Sequence, residues 1–442
     1  MDEIREIHAR EVLDSRGKPT IEVEILTQSG ARGRSIVPSG ASTGRSEAVE
    51  LRDGDPLRYD GDGVLQAVAG INNEIAPQLT DRDVFDQSGL DAAMIALDGT
   101  DQKARLGGNA LLGVSLALAR AAAAAAGVPL YEYFADRLND QLSLIADDLP
   151  QCDRGFQMPL PMTNMISGGL HAGGNLDFQD VLVMPVGAPD YRTGLEWIAR
   201  VYRRLGKLLS DEGYEGRLVG DEGGYGPRLP SNRLAAEFVV RAIEEARLRP
   251  GEVMTIALDV AATHFQEDDH YRLATERDLL LTSSEMIDRL ESWISEFPIT
   301  SIEDGLAEDD WEGWQELTRR FGDHIQIVGD DLFTTNVVRL KRGIELRAAN
   351  SVLIKVNQIG TLTETLETIA VARKAGYSLV VSARSGETED TTIADLAVTV
   401  AADQIKIGSI VRSERLAKYN QLSRLHEQIR STLFADRTTL IH

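Results

Sequence analysis

Met254-Thr-Ile-Ala-Leu-Asp259, Thr300-Ser-Ile-Glu303, Ile327-Val-Gly-Asp330 and Ser351-Val-Leu-Ile-Lys355 are short apolar runs, each closed by one charged residue. Asp403-Gln-Ile-Lys406 ends in the same way. The charged ends lie 27 residues apart from 303 to 330, 25 from 330 to 355, and 51 from 355 to 406. A strand, a helix and two short loops take about that length, so the steps read as one βα unit, one more, and then two. In a parallel barrel every strand end opens on the same face, where barrel enzymes place their chemistry. The spacing therefore predicts an α/β fold, a β/α barrel whose mouth gathers Asp259, Glu303, Asp330, Lys355 and Lys406.

Three carboxylates at one mouth offer oxygen ligands to a hard cation such as Mg2+, which completes its octahedron with water and substrate. The competing reading makes each acid the N-cap of the helix after its strand. Lys355 and Lys406 sit in the same ring, where burying a lysine is costly unless it is paired or functional. A neighbouring cation and a metal depress a lysine pKa toward that of a base, whereas a simple ion pair with a barrel acid does not. Two glycine-rich loops complete the inventory. Val219-Gly-Asp-Glu-Gly-Gly-Tyr225 presents Glu222, and Met165-Ile-Ser-Gly-Gly-Leu-His-Ala-Gly-Gly-Asn175 presents His171. Each is either a solvated turn or a loop that closes over a ligand.

Working outward, 442 residues suffice for two domains and a large core. The formal charge of −24 argues against nucleic acid and against an anionic membrane surface. One cysteine, Cys152, excludes an intrachain disulfide and fits a reducing, cytoplasmic setting. Ala110 to Ala126 is apolar but alanine-rich and interrupted by Ser115 and Arg120, which suits a core helix ending at Gly127 and Pro129. Ile21-Glu-Val-Glu-Ile-Leu26 alternates like a half-buried strand and turns back through Gln28-Ser-Gly30 into Ala31–Val37. Pro38-Ser-Gly-Ala-Ser-Thr-Gly44 is a connector or a mobile lid. Helical material follows from about 62 to 135. The polar stretch from Asp136 to Gly155 suggests a boundary between domains at 1–140 and 141–442. Further helices are expected at Arg192–Ser210, Asn232–Glu245, Ser283–Ile294, Thr361–Ala375 and from Arg412 to Leu433.

The chain resembles the enolase family nearly end to end. The motifs that carry the resemblance include Ala9-Arg-Glu-Val-Leu-Asp-Ser-Arg-Gly17, the 38–44 segment, Gly220-Asp-Glu-Gly-Gly224 and Ser301-Ile-Glu-Asp-Gly305. Lys355-Val-Asn-Gln-Ile-Gly360 and Arg412-Ser-Glu-Arg-Leu-Ala-Lys-Tyr-Asn-Gln421 continue it. The resemblance implies an enolase-type modified TIM barrel under an N-terminal α+β cap, with first strands that break the simple βα alternation. It implies a homodimer or higher homo-oligomer, two Mg2+ per site, and the interconversion of 2-phosphoglycerate and phosphoenolpyruvate, a small phosphorylated carboxylate. Position by position, Asp259, Glu303 and Asp330 would hold the first Mg2+ and Ser42 the second. Lys355 would be the base and Glu222 the acid, with Asp180 also in the catalytic set. Lys406 would meet the substrate carboxylate, Arg384 and Ser385 its phosphate, and Gln179 and His171 would line the pocket.

Two positions depart from the family pattern. Ser382-Ala-Arg-Ser-Gly-Glu387 carries Ala383 where the motif has histidine, and Asp177-Phe-Gln-Asp180 ends in aspartate where the motif has glutamate. Both changes remove atoms from the pocket. His264 stands where an acid is usual, as a replacement imidazole or a surface residue. These departures open a second reading, an enolase-like paralogue acting on another phosphorylated or phosphonate substrate, as carboxyphosphonoenolpyruvate synthase does. A third is a catalytically silent scaffold, which retention of costly buried charges argues against.

Overall fold

The computed structural model describes residues 1–41, 44–145 and 155–429. Ser42 and Cys152 therefore lie outside the described residues, as does the end of the expected C-terminal helix, described here as Ser413–Ile429.

Three antiparallel strands open the chain: β1 (Ile4–Leu13), β2 (Pro19–Thr27) and β3 (Arg32–Ile36). The alternation predicts β2 and β3 but not β1, where the adjacent polar pairs Arg5-Glu6 and Arg10-Glu11 interrupt the pattern. Ile21, Val23 and Ile25 of β2 turn inward and are buried. The helix Gly108–Ala126 packs against this sheet and ends at Gly127 in the left-handed region (φ 68°). Its alanines allow very close approach: a methyl group on Gly33 would stand 2.1 Å from the Ala117 carbonyl oxygen. The helix is long and apolar enough to cross a membrane, but 78% of it is buried inside the fold. Composition here reports a tight sheet–helix contact.

The second half closes into an eight-stranded barrel. Its first strands are β4 (Leu160–Ser167), β5 (Asp180–Met184) and β6 (Thr255–Asp259). A small outlying sheet of β7 (Gln266–Glu267), β8 (His270–Leu273) and β9 (Leu279–Leu281) intervenes. Then come β10 (Ile299–Glu303), β11 (Gln326–Gly329), β12 (Ser351–Ile354), β13 (Ser378–Ser382) and β14 (Gln404–Lys406). Around the barrel the order is β4, β5, β6, β10, β11, β12, β13, β14, and β14 closes on β4. Only β5 runs against its neighbours. The loop from β4 to β5 holds no crossover helix of the length a parallel return needs, so the second strand must come back antiparallel. Two helices, Tyr191–Asp211 and Asn232–Glu245, then follow in succession before β6. Inside the barrel Leu160, Met162, Leu182, Met184 and Ala257 form one apolar cluster, and Val328, Leu353 and Val380 another.

The polar stretch that begins at Asp136 starts inside a helix. Residues 136–145 continue the helix Leu130–Ile145, which buries Tyr131, Phe134, Leu138 and Leu142 against the barrel helices Leu362–Lys374 and Thr392–Thr399. The polar composition there belongs to the outer face of an amphipathic helix.

Asp91 ties cap to barrel. It stands on the cap helix Gln87–Asp98 and accepts from the Thr363 backbone N–H (3.1 Å) and hydroxyl (2.6 Å) at the start of Leu362–Lys374. Burial lifts its carboxyl from 3.8 to about 6, against the hydrogen bonds from Thr363, Ser115 and Gln87. The folded protein then holds a proton that the unfolded chain lacks. The associated stability is present below the unfolded pKa and is lost as pH rises through the folded one, a swing of about 3 kcal/mol. Asp91→Asn stays neutral throughout, so its Tm should gain on wild type by a few degrees between about pH 4 and 7. Thermal melts across that range check this, and a flat Tm difference would discount the buried acid.

Candidate active site

None of the three strand-end acids caps a helix. The helices that follow are capped by Ala261, Asp310 and Asn336, which removes the capping explanation for Asp259, Glu303 and Asp330. The three stand at the ends of the consecutive strands β6, β10 and β11, all buried. Lys406, at the end of β14, reaches across the mouth and donates to Asp259 Oδ2 (2.6 Å) and Glu303 Oε2 (2.7 Å). Lys355, after β12, donates to Asp330 Oδ2 (2.5 Å). Gln179 Nε2 also donates to Asp259 Oδ2 (3.1 Å).

Each lysine is paired with acids of the ring. Burial opposes the charge on Lys355, but Asp330 outweighs it and raises the pKa. Lys406 is raised further, by Asp259 and Glu303 acting against burial. Both are ammonium groups held by acids. Glu303 shows the opposite strain: burial first, and then the charge of Asp259, push it up to about 8. Its Oε1 is buried without a hydrogen-bond partner. An orphaned carboxylate oxygen among crowded acids on adjacent strands suits a divalent cation, and these residues fit one.

Because β5 runs backwards, its first residue and not its last meets the mouth. That residue is Asp180, paired in the ladder with Asp259. Its Oδ1 accepts from Ser167 Oγ (2.8 Å) and its Oδ2 lies 2.8 Å from His171 Nδ1. His171 Nε2 faces Glu222 Oε1 at 3.8 Å, and Glu222 Oε2 accepts from Asn164 Nδ2 (3.1 Å). The two glycine-rich loops pack on each other, with the Asp221 N–H donating to the His171 carbonyl (3.0 Å). At Gly220 a methyl group would stand 2.6 Å from that carbonyl oxygen, so glycine is required for the approach. Burial disfavours an imidazolium, yet Asp180 and then Glu222 hold His171 up at about 9. Burial also raises Asp180, so both directions mean that this pair keeps a proton at neutral pH. Glu222 goes the other way: burial is overcome by His171, Arg415, Lys406 and Lys355, which bring it to about 2.

The remaining wall follows β13. Arg384 donates from Nη1 to Glu47 Oε2 (3.1 Å) and Asn357 Oδ1 (2.8 Å). Ser385 Oγ accepts from the Ala41 N–H (2.7 Å), and Ser39 exchanges backbone hydrogen bonds with Gly386. The start of the 38–44 segment is thus docked on the clamp loop. Ala41, His171, Glu222, Lys355, Ala383 and Lys406 are among the residues around a small, polar cavity at the barrel mouth. His264 is exposed, on the single turn Ala262–Phe265 outside this lining.

Four contributors escaped the sequence reading although each lies within three residues of a motif or assigned position. Glu47 accepts from the Gly44 N–H (3.0 Å) as well as from Arg384. Gln358 donates to Asp330 Oδ1 (2.9 Å) and to Glu47 Oε1 (3.3 Å). Asp304, at positive φ (42°), accepts the Asp330 and Asp331 N–H groups and so fixes β10 to β11. Arg415, fully buried, donates to the carbonyls of Arg384, Ser385 and Ile407. Asp304, Gln358 and Arg415 stand inside the quoted family motifs, and Glu47 lies three residues past the 38–44 segment.

Among the described residues, two triads bring ligand-type atoms within 4.8 Å of one another: His171–Asp180–Glu222 and Asp304–Asp330–Asp331. Asp259, Glu303 and Asp330 are not one of these, and converge instead on the two lysine ammonium groups.

Comparison with protein-family models agrees over most of the chain. Residues 4–134 match the model described as "Enolase, N-terminal domain", and residues 155–439 match "Enolase, C-terminal TIM barrel domain".

Proposed function

We propose, from the premise that this chain belongs to the enolase family, that it reversibly dehydrates 2-phosphoglycerate to phosphoenolpyruvate by removing the proton α to the carboxylate. In general terms such a chain is a Mg2+-dependent lyase of the enolase superfamily. Asp259, Glu303 and Asp330 would hold one Mg2+, and Ser42 would help to hold a second. When bound, the cations supply positive charge to a carboxylate that gains a second negative charge as the proton leaves.

The observation that carries this reading is the seating of opposite chemistries on opposite strands. Lys355 follows β12, and the His171–Asp180–Glu222 side is built at β4 and β5; β5 and β12 are diametrically placed in the closed order. Lys355 would take the α-proton from one side while the hydroxyl leaves toward Glu222 on the other. The ammonium of Lys406 would meet the substrate carboxylate. Arg384 and Ser385 would hold the phosphate, with Gln179 on the wall beside Asp259. With a cation held by Asp330, the charges of Arg384 and Lys406 would act to lower the pKa of Lys355. The test is enol product formation from 2-phosphoglycerate, followed by ultraviolet absorbance. Activity should need Mg2+ and vanish with a chelator. No product at saturating Mg2+ removes the assignment. We take the working protein to be a cytoplasmic homodimer, which sedimentation would check.

A second reading has its own observation. Ala383 lines the cavity with a methyl group where the family motif carries an imidazole, which leaves room for a different or bulkier group, as on a phosphonate substrate. The pair Ala383→His and Asp180→Glu should raise 2-phosphoglycerate dehydration at least about tenfold if the pocket serves another substrate, since catalytic placement responds at the 1 Å scale. No gain would leave 2-phosphoglycerate as the native substrate. A silent scaffold is disfavoured, because the buried charges are retained and each is costly unless paired.

A further inference from the structure

The loop after β13 is held from three sides. From the cap, the Ser15 N–H donates to the Glu387 carbonyl (2.8 Å) and Ser15 Oγ accepts from the Glu387 N–H (3.1 Å). A methyl group on Gly386 would stand 2.3 Å from Asp14 Oδ2, so the chain passes too close to the cap for a side chain. Within the loop, the Glu387 carboxylate folds back. Its Oε1 accepts from the Arg384 N–H and its Oε2 from the Thr388 N–H, each at 3.1 Å. From the helix Ser413–Ile429, Lys418 Nζ donates to Glu387 Oε2 (2.6 Å) and to the Thr388 carbonyl (2.5 Å). Glu387 is 3% exposed and Lys418 1%, and neither borders the cavity that Arg384 and Ser385 line. Resting on the proposed assignment of Arg384 and Ser385 to the substrate phosphate, we infer that Lys418 and Glu387 are positioning residues for that phosphate, acting only through the backbone of 384–388.

A buried ion pair costs both partners their hydration and is weak evidence for stability. The geometry here gives the pair another use. Arg415, three residues before Lys418 and so on the same helix face, donates to the carbonyls of Arg384 and Ser385 (2.6 Å each). One face of Ser413–Ile429 thus holds the carbonyls of both phosphate residues through Arg415, and the Arg384 N–H through Lys418 and Glu387. Without Lys418 the Glu387 carboxylate is left buried and unpaired, and it gains by turning toward water. Its Oε1 is bonded to the Arg384 N–H, so that turn shifts the residue that carries the guanidinium. Placement of such groups matters at a scale of about 1 Å, and on a loop it depends on the surrounding support. Lys418 isolates this effect better than Arg415, whose Nη1 also comes within 4.0 Å of Glu222 Oε1.

Calorimetric titration of the full chain with inorganic phosphate, at saturating Mg2+, tests this without turnover. Lys418→Met should weaken phosphate binding by about 10–100-fold, the scale for partners that orient a ligating group, while Mg2+ affinity is unchanged. Equal losses for phosphate and Mg2+ would mean a general loosening of the fold and would overturn the proposal. Adding Glu387→Gln to Lys418→Met should recover most of the loss, because a neutral amide still accepts from the Arg384 N–H and has less to gain from water. No recovery overturns it. Glu387→Gln alone should also weaken phosphate binding, since it leaves the Lys418 ammonium unpaired. Tighter binding there would show that the pair acts on phosphate through its charges across space, which also overturns positioning. A phosphate affinity in Lys418→Met equal to that of wild type sinks this inference alone, whereas a wild type that binds no phosphate sinks the assignment of Arg384 and Ser385 beneath it. Should Lys418→Met fail to fold, Glu387→Gln and the double variant decide by the same comparisons with wild type: weakened binding in the first and near-normal binding in the second support positioning, and any other order overturns it.

Discussion

Lys355→Met should stop turnover while leaving cation binding intact. General base catalysis by a placed side chain is worth about 10²–10⁴ in rate, and loss of at least that much in kcat is expected. The variant also removes the ammonium that holds Asp330 Oδ2 at 2.5 Å. Asp330 is then released toward a divalent cation, so Mg2+ affinity should hold or rise. Calorimetric titration measures the affinity, and wash-in of solvent deuterium at the α-carbon isolates proton removal from later steps. Exchange continuing at the wild-type rate would show that another group collects this proton.

Lys406→Met carries the largest expected effect on stability. Its ammonium lies between two acids that are each only 2% exposed. Truncating one member of a buried charge group leaves the others uncompensated, at a cost of about 3–5 kcal/mol. In a chelator, the Tm should fall by several degrees. Mg2+ should restore more of the Tm in the variant than it adds to wild type, because a cation replaces the missing charge and binding to the folded state stabilises it. Equal Mg2+ shifts in the two proteins would detach Asp259 and Glu303 from the metal.

The barrel and its ring of charged ends were legible because strand length and βα spacing are local properties. Asn232–Glu245 came out with its observed bounds for a similar reason, as an amphipathic stretch begun by the Ser231 cap. What escaped was set by contacts far along the chain. The reversal of β5 follows from a missing crossover helix, and an absence leaves no apolar signature. The helix at 136–145 read as a polar boundary because its buried face is built from widely spaced residues. Which acid of the ring Lys355 meets is set by barrel closure, which brings it to Asp330, 25 residues earlier in the chain. Glu47 met neither spacing nor glycine pattern, and its role appears only once Arg384, 337 residues later, lies beside it.

The Glu47 carboxylate also bears on how such proteins are divided and recombined. It comes from the cap, yet it neutralises a guanidinium in the barrel wall and, through Gln358, steadies Asp330. A barrel expressed alone would lose the Glu47 charge beside Arg384 and loosen an acid at its own centre. Chimaeras that graft one relative's cap onto another's barrel should therefore succeed only when the residue at 47 travels with the loop that follows β13.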